Sequence, residues 1–144
     1  MKILIASSSR ADYDLLYPIV LELKKVKKLR CDFLITGSHF SKELSTKIKK
    51  NKEKGLSKKY LNILSSKKTN TALIFANASK KFSSYLDKNR PDILMVLGDR
   101  FEILSLVICA TLKKIPIAHI SGGELTEASM DDSIRHSITK FSHY

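Results

Sequence analysis

Two short apolar runs, Ile93–Leu97 and Ile115–Ile120, constrain this chain most, because each is followed at once by glycine and acid. The first leads into Gly98-Asp99, the second into Gly122-Gly123-Glu124. Runs this short and this apolar read as strands buried on both faces, as in a parallel sheet. A third acidic pair, Asp131-Asp132, follows with Arg135 and His136 close behind. A buried core has no use for carboxylates at strand ends. In an open α/β sheet, ligands bind in the crevice outside the carboxyl ends of the strands, so these acids mark a candidate active site.

The rest of the chain alternates strand and helix patterns. Lys2–Ala6 reads as a first strand, and Ser7-Ser8-Ser9-Arg10 as a polar turn. Leu15, Leu16, Ile19, Val20 and Leu23 recur at helical spacing, which predicts a helix over Ala11–Lys27 with a kink or restriction at Pro18. A second strand is expected over Arg30–Thr36, closed by Gly37-Ser38-His39. Residues 40–59 are polar and lysine-rich, with a short helix expected from Lys42 and a loop after it; Tyr60–Leu64 is expected as a third strand. Leu73, Ile74, Ala78, Phe82 and Leu86 predict a long helix over Asn70–Lys88, which Pro91 ends. Further helices are expected over Glu102–Lys113 and Asp131–His143. This alternation implies an α/β fold with a doubly wound, Rossmann-like parallel sheet. The expected strand order is 3-2-1-4-5, with the switch point between the first and fourth strands.

A chain of 144 residues fits one domain with a real core. It contains no apolar run of the roughly 18 residues a membrane span needs. The N-terminus resembles a signal peptide only weakly, since charged residues follow too soon. Cys31 and Cys109 sit in apolar runs and read as buried free thiols in a reducing cytoplasm. The net charge of +12 comes mainly from lysine runs at 24–30, 47–59 and 66–70. With few arginines and no interleaved aromatics, these read as solvated surface and not as a nucleic-acid grip. Their field would still attract an anionic small molecule.

Several residues carry candidate chemistry. Arg10 and the backbone N–H groups around it can bind a phosphate, although Ser9 and Asp12 also fit a helix cap. The turn lacks the glycines of a dinucleotide fingerprint, so NAD and FAD are disfavoured and no cofactor is expected. Asp99-Arg100-Phe101-Glu102 fits both a ligand site and a capping box. Glu124 follows two glycines that would let backbone approach a ligand. Asp132, Arg135 and His136 share one helix face, as a site or as a surface ion pair. His119 reads as a satisfied core histidine. Neither the histidines nor the cysteines have metal-ligand spacing, so no metal is expected.

GDRFE (98–102), HISGGE (119–124) and DDSIRHSITKFSH (131–143) together resemble the hydrolysing UDP-N-acetylglucosamine 2-epimerases, as do SSSRADYDLLYP (7–18) and ITGSHFSKE (35–43). The resemblance runs the length of the chain. It implies the N-terminal half of a two-domain, GT-B-like fold with the active site between domains. Residues 1–144 would be the N-terminal domain, with the C-terminal domain absent. The implied reaction converts UDP-N-acetylglucosamine and water to N-acetylmannosamine and UDP, for sialic or legionaminic acid synthesis. UDP is eliminated to leave a glycal, and water then adds with inversion at C2. Carried over residue by residue, Asp99, Glu124 and Asp131 or Asp132 match the catalytic acids, and Arg10, His39, Arg135 and His136 are expected at the substrate. Which acid takes the C2 proton stays open. The implied partners are a UDP-sugar, a separately encoded C-terminal domain, and further copies of the full-length protein. The alternatives are a non-catalytic interaction module and a nucleotide-sugar-binding, glycosyltransferase-like domain.

Overall fold

The computed structural model describes residues 1–41, 56–64, 70–126 and 130–144. Five strands, β1 (Lys2–Ser7), β2 (Arg30–Ile35), β3 (Ser57–Tyr60), β4 (Ile93–Leu97) and β5 (Ile117–Ile120), form one sheet in the order β3-β2-β1-β4-β5. Every pairing is parallel, with Ile5 opposite Phe33 and Met95, and Leu97 opposite Ile120. The expected topology and its switch between β1 and β4 are therefore present. Because all strands point the same way, every loop that follows one lies on a single edge.

Strand alternation sorts the core into two layers. Leu4, Ala6, Leu34, Leu94 and Val96 face α2 (Thr71–Asn89), α3 (Phe101–Leu112) and α4 (Met130–Phe141). Ile3, Ile5, Phe33 and Ile35 face α1 (Arg10–Lys25) through Leu16 and Val20. The helices bury narrow stripes at four-residue spacing, Leu16 with Val20, and Ala78 with Phe82 and Leu86. Leu15, expected in the stripe, is 62% exposed, since one residue turns about 100° around the helix. Leu73 departs from its stripe in the same way. Pro18 does not end α1; it lies on the exposed face, where water can take up the carbonyl that loses its partner.

The third strand differs from expectation. It occupies Ser57–Tyr60 and touches the expected Tyr60–Leu64 only at Tyr60. Leu61 and Ile63 are apolar because they reach the core from a loop, and Ile63 is fully buried. The edge strand itself is chosen by backbone pairing with β2 and by Ser57, whose hydroxyl donates to the buried Asp32 carboxylate at 2.5 Å. The helix expected from Lys42 lies outside the described residues. Beyond α4 the chain runs along the outer edge of β5. Tyr144 N–H donates to the Ile117 carbonyl at 3.2 Å and the Tyr144 carbonyl accepts from His119 N–H at 2.9 Å, the pattern of parallel pairing. No helix among the described residues is long and apolar enough to cross a membrane. Both cysteines are free thiols, Cys109 buried and Cys31 half-buried, and burial raises the Cys31 pKa to about 11.

Candidate active site

The β1–β2 side of the strand-end edge is closed by hydroxyls and backbone. Gly37 has φ +61°, and a Cβ there would stand 2.6 Å from the Ser8 carbonyl oxygen. That close approach lets Ser38 donate to the same oxygen from its N–H at 2.8 Å and its hydroxyl at 2.9 Å. Asp12 accepts from Ser8 N–H (3.1 Å), Ser8 hydroxyl (2.9 Å), Ser9 N–H (3.0 Å) and Ser9 hydroxyl (2.7 Å), while Ser9 oxygen accepts from Asp12 N–H (3.2 Å). The Ser9–Asp12 cap is thus formed. The backbone N–H groups of Ser8 and Ser9, which the sequence offered to a phosphate, are already taken by Asp12.

His39 was expected at the substrate, but only 3% of it is exposed. Ser7 donates its one hydroxyl proton to the Ser9 carbonyl at 3.0 Å, so His39 donates to Ser7 oxygen from Nε2 at 2.8 Å. The Nδ1 atom is left buried and unpartnered. Burial lowers the His39 pKa, against an opposing pull from the Asp12 carboxylate. Arg10, by contrast, stays exposed at the start of α1, 3.9 Å from Asp14.

The β4–β5 side is built from charge. Asp99 was open to a capping reading, yet the N-cap of α3 is Arg100, with no side-chain cap bond. Asp99 instead pairs with Arg135, reaching back from α4. Arg135 is only 7% exposed, and its Nη1 donates to the Glu124 carbonyl and the Thr126 hydroxyl, both at 2.8 Å. Asp132 lies 3.5 Å from Arg135 and 3.4 Å from His136, so the shared helix face is real. Asp132 also accepts from Thr126 N–H at 2.9 Å, which ties the loop after β5 to α4. The hydrogen bond to Asp99 is the main cause that raises the Arg135 pKa. Arg135, expected at substrate, holds these protein groups. Glu124 is exposed beside it, as is Asp131 in the first turn of α4.

Sequence reasoning passed over three residues here. Glu102 is 3% exposed and pairs with Arg100 at 3.3 Å, leaving Glu102 Oε2 and Arg100 Nε buried without partners. Both stand inside GDRFE, but the capping-box reading absorbed Glu102. The third is His119, on β5. Among the described residues no group of three His, Cys, Asp or Glu side chains is placed to hold a metal.

Residues 21–144 match the UDP-N-acetylglucosamine 2-epimerase family. The chain belongs to that family. It is 38% identical to the GDP/UDP-N,N'-diacetylbacillosamine 2-epimerase (hydrolyzing) of Campylobacter jejuni over 99% of its own length and 38% of that protein's. It is 33% identical to polysialic acid biosynthesis protein P7 of Escherichia coli, covering 98% of this chain and 37% of that one. The chain therefore spans less than two-fifths of the length of these relatives. It superimposes on UDP-GlcNAc 2-epimerase from Neisseria meningitidis, a structure with UDP-GlcNAc bound, with a TM-score of 0.82 at 22% identity, over 100% of this chain and 39% of that one. The fold is that of the N-terminal half of the two-domain, GT-B-like epimerase.

Proposed function

We propose that this chain supplies the N-terminal domain of a hydrolysing 2-epimerase acting on a UDP-sugar, UDP-N-acetylglucosamine or a diacetamido analogue. The observation that carries the reading is the gathering of Asp99, Glu124, Asp132 and Arg135 at adjacent strand ends β4 and β5, within one hydrogen-bonded frame. Elimination needs a base near C2 and positive charge at the departing diphosphate. Asp99, Glu124, Asp131 and Asp132 are the candidate bases and acids; Arg10 and His136, both open to solvent, are the candidate substrate contacts, and Arg100, beside Asp99, is a further candidate. One carboxylate takes the C2 proton as the C1–oxygen bond breaks, releasing UDP and leaving a glycal. Water then adds across the double bond, its oxygen at C1 and a proton at C2 from the opposite face, giving N-acetylmannosamine.

A second domain completes the cleft, continuous with this chain or separately encoded, and the whole assembles as a homo-oligomer in the cytoplasm. The free thiols and the family membership support this setting. The test is release of UDP and N-acetylmannosamine from UDP-N-acetylglucosamine by the chain joined to a family second domain. Turnover by the joined protein, with none by the 144-residue chain, is expected. No turnover by the joined protein on either sugar overturns the reading.

A further inference from the structure

We propose that His119 is a positioning residue for the Asp99–Arg135 pair, cross-linking the loop after β4 to α4 through its two ring nitrogens. His119 lies on β5, between the two elements it joins. Nε2 stands 2.7 Å from the Gly98 carbonyl, an acceptor, so Nε2 carries the proton. Nδ1, then the acceptor, stands 3.1 Å from the Thr139 hydroxyl, whose one proton goes to Nδ1 rather than to the Arg135 carbonyl 3.0 Å away. Burial lowers the His119 pKa, so the neutral ring with one donor and one acceptor is the form that persists near neutral pH.

These contacts close a circuit. His119 holds Gly98; Asp99 follows Gly98 in the chain; Asp99 pairs with Arg135; Arg135 and Thr139 stand one turn apart on α4; the Thr139 hydroxyl returns to His119 Nδ1. The backbone of His119 is fixed as well, donating to the Tyr144 carbonyl at 2.9 Å. Gly122 lets the circuit form, because a Cβ there would lie 2.8 Å from His119 Nδ1 and 3.0 Å from Thr139 Oγ1. Gly98 has φ +76° and nothing within reach of its absent Cβ, so packing does not fix this turn. The Gly98 N–H donates to the Ile120 carbonyl at 3.1 Å, and the imidazole holds its carbonyl.

The two nitrogens can be tested apart. Glutamine places its amide nitrogen near the position of Nε2 and keeps the Gly98 bond; asparagine reaches only the position of Nδ1 and keeps the Thr139 bond. The inference rests on the proposed reaction for its kinetic arm only. In the joined protein, His119→Asn should lower kcat by about tenfold or more with KM little changed, since misplacing a reacting group by about 1 Å costs up to about 100-fold. His119→Gln should retain most of kcat. In the 144-residue chain, NMR should show slow exchange of the Arg135 guanidinium protons, lost in His119→Asn and kept in His119→Gln. Wild-type exchange and kcat in His119→Asn would overturn the proposal. So would equal losses in the two variants that simply track Tm. If the joined wild-type protein is inactive, the exchange data still decide the role of His119 while the reaction fails on its own.

Discussion

The two halves of the strand-end edge are held by different physics. On the β1–β2 half, Ser7, Ser8, Ser9, Ser38 and Asp12 satisfy one another, and His39 is buried under them. Every bond named there is local or joins two adjacent loops, and Arg10 faces outward. On the β4–β5 half one guanidinium, Arg135, spans Asp99, Glu124, Thr126 and Asp132, which come from three different segments. Neutral and capping hydrogen bonds make a rigid floor. An ion-paired frame with exposed carboxylates beside it makes a working surface, because charged groups close to solvent can exchange partners with an incoming substrate. The first half is therefore expected to govern stability and the second turnover.

The sharpest test of that division is charge removal on the working half. In the joined protein, Asp99→Asn and Glu124→Gln should each cut kcat by roughly 100- to 10,000-fold, the range of general acid–base catalysis. Glu124→Gln should leave Tm unchanged, because its carboxylate is exposed and only its backbone carbonyl meets Arg135. Full turnover in both would remove these acids from the mechanism.

The floor should respond in the opposite sense. Asp12→Ala removes four accepted hydrogen bonds and half of the capping box. A hydrogen bond to a charged group contributes roughly 1.5–3 kcal/mol, and denaturant unfolding of the isolated chain should show at least the loss of one. Binding of substrate to a folded fraction should persist. A variant as stable as wild type would mean that Ser8 and Ser9 find water as readily as Asp12.

Much of this was legible from the sequence, and the misses share a cause. Strand order, the strand-end placement of Arg10, Asp99 and Glu124, and the Ser9–Asp12 cap follow from local patterns, which the fold preserves. The side-chain partners do not. Asp99 looked like a cap because Glu102 stands three residues on; its true partner, Arg135, is 36 residues away. His39 looked available because it follows a strand, yet the Gly37 turn folds it under Ser7. The third strand was misplaced because apolarity signals burial, and an edge strand with lysines is selected by its backbone.

Acid should separate the halves more gently. His39 has its pKa lowered from 6.5 by burial, with Asp12 opposing and Arg100 reinforcing. In this window the unfolded chain binds the proton more readily than the folded one, so stability rises with pH and is lost as pH falls below about 6.5 toward the depressed folded value. His119 shifts in the same direction. Tm of the isolated chain should therefore drop between pH 7 and pH 5, and His39→Gln should flatten the part due to the floor. An unchanged slope in that variant would place the acid sensitivity on His119 and the working half.

The smallest structural effect is expected at Arg10, which points outward from the floor. Its side chain is 64% exposed and its contact with Asp14, at 3.9 Å, is a loose surface pair. Such pairs contribute about 0–1 kcal/mol, and the helix it begins is already capped by Ser9. Arg10→Gln should accordingly leave denaturant unfolding within about 0.5 kcal/mol of wild type. Its functional effect should differ in kind from that of Asp99→Asn. A guanidinium gripping an anionic group in ground state and transition state alike lowers KM without raising kcat. In the joined protein Arg10→Gln should raise KM several-fold with kcat nearly preserved, and Arg10→Lys should recover part of the loss through charge alone. A fall in kcat at constant KM would instead move Arg10 into the chemical step, and the floor would no longer be separable from the working half.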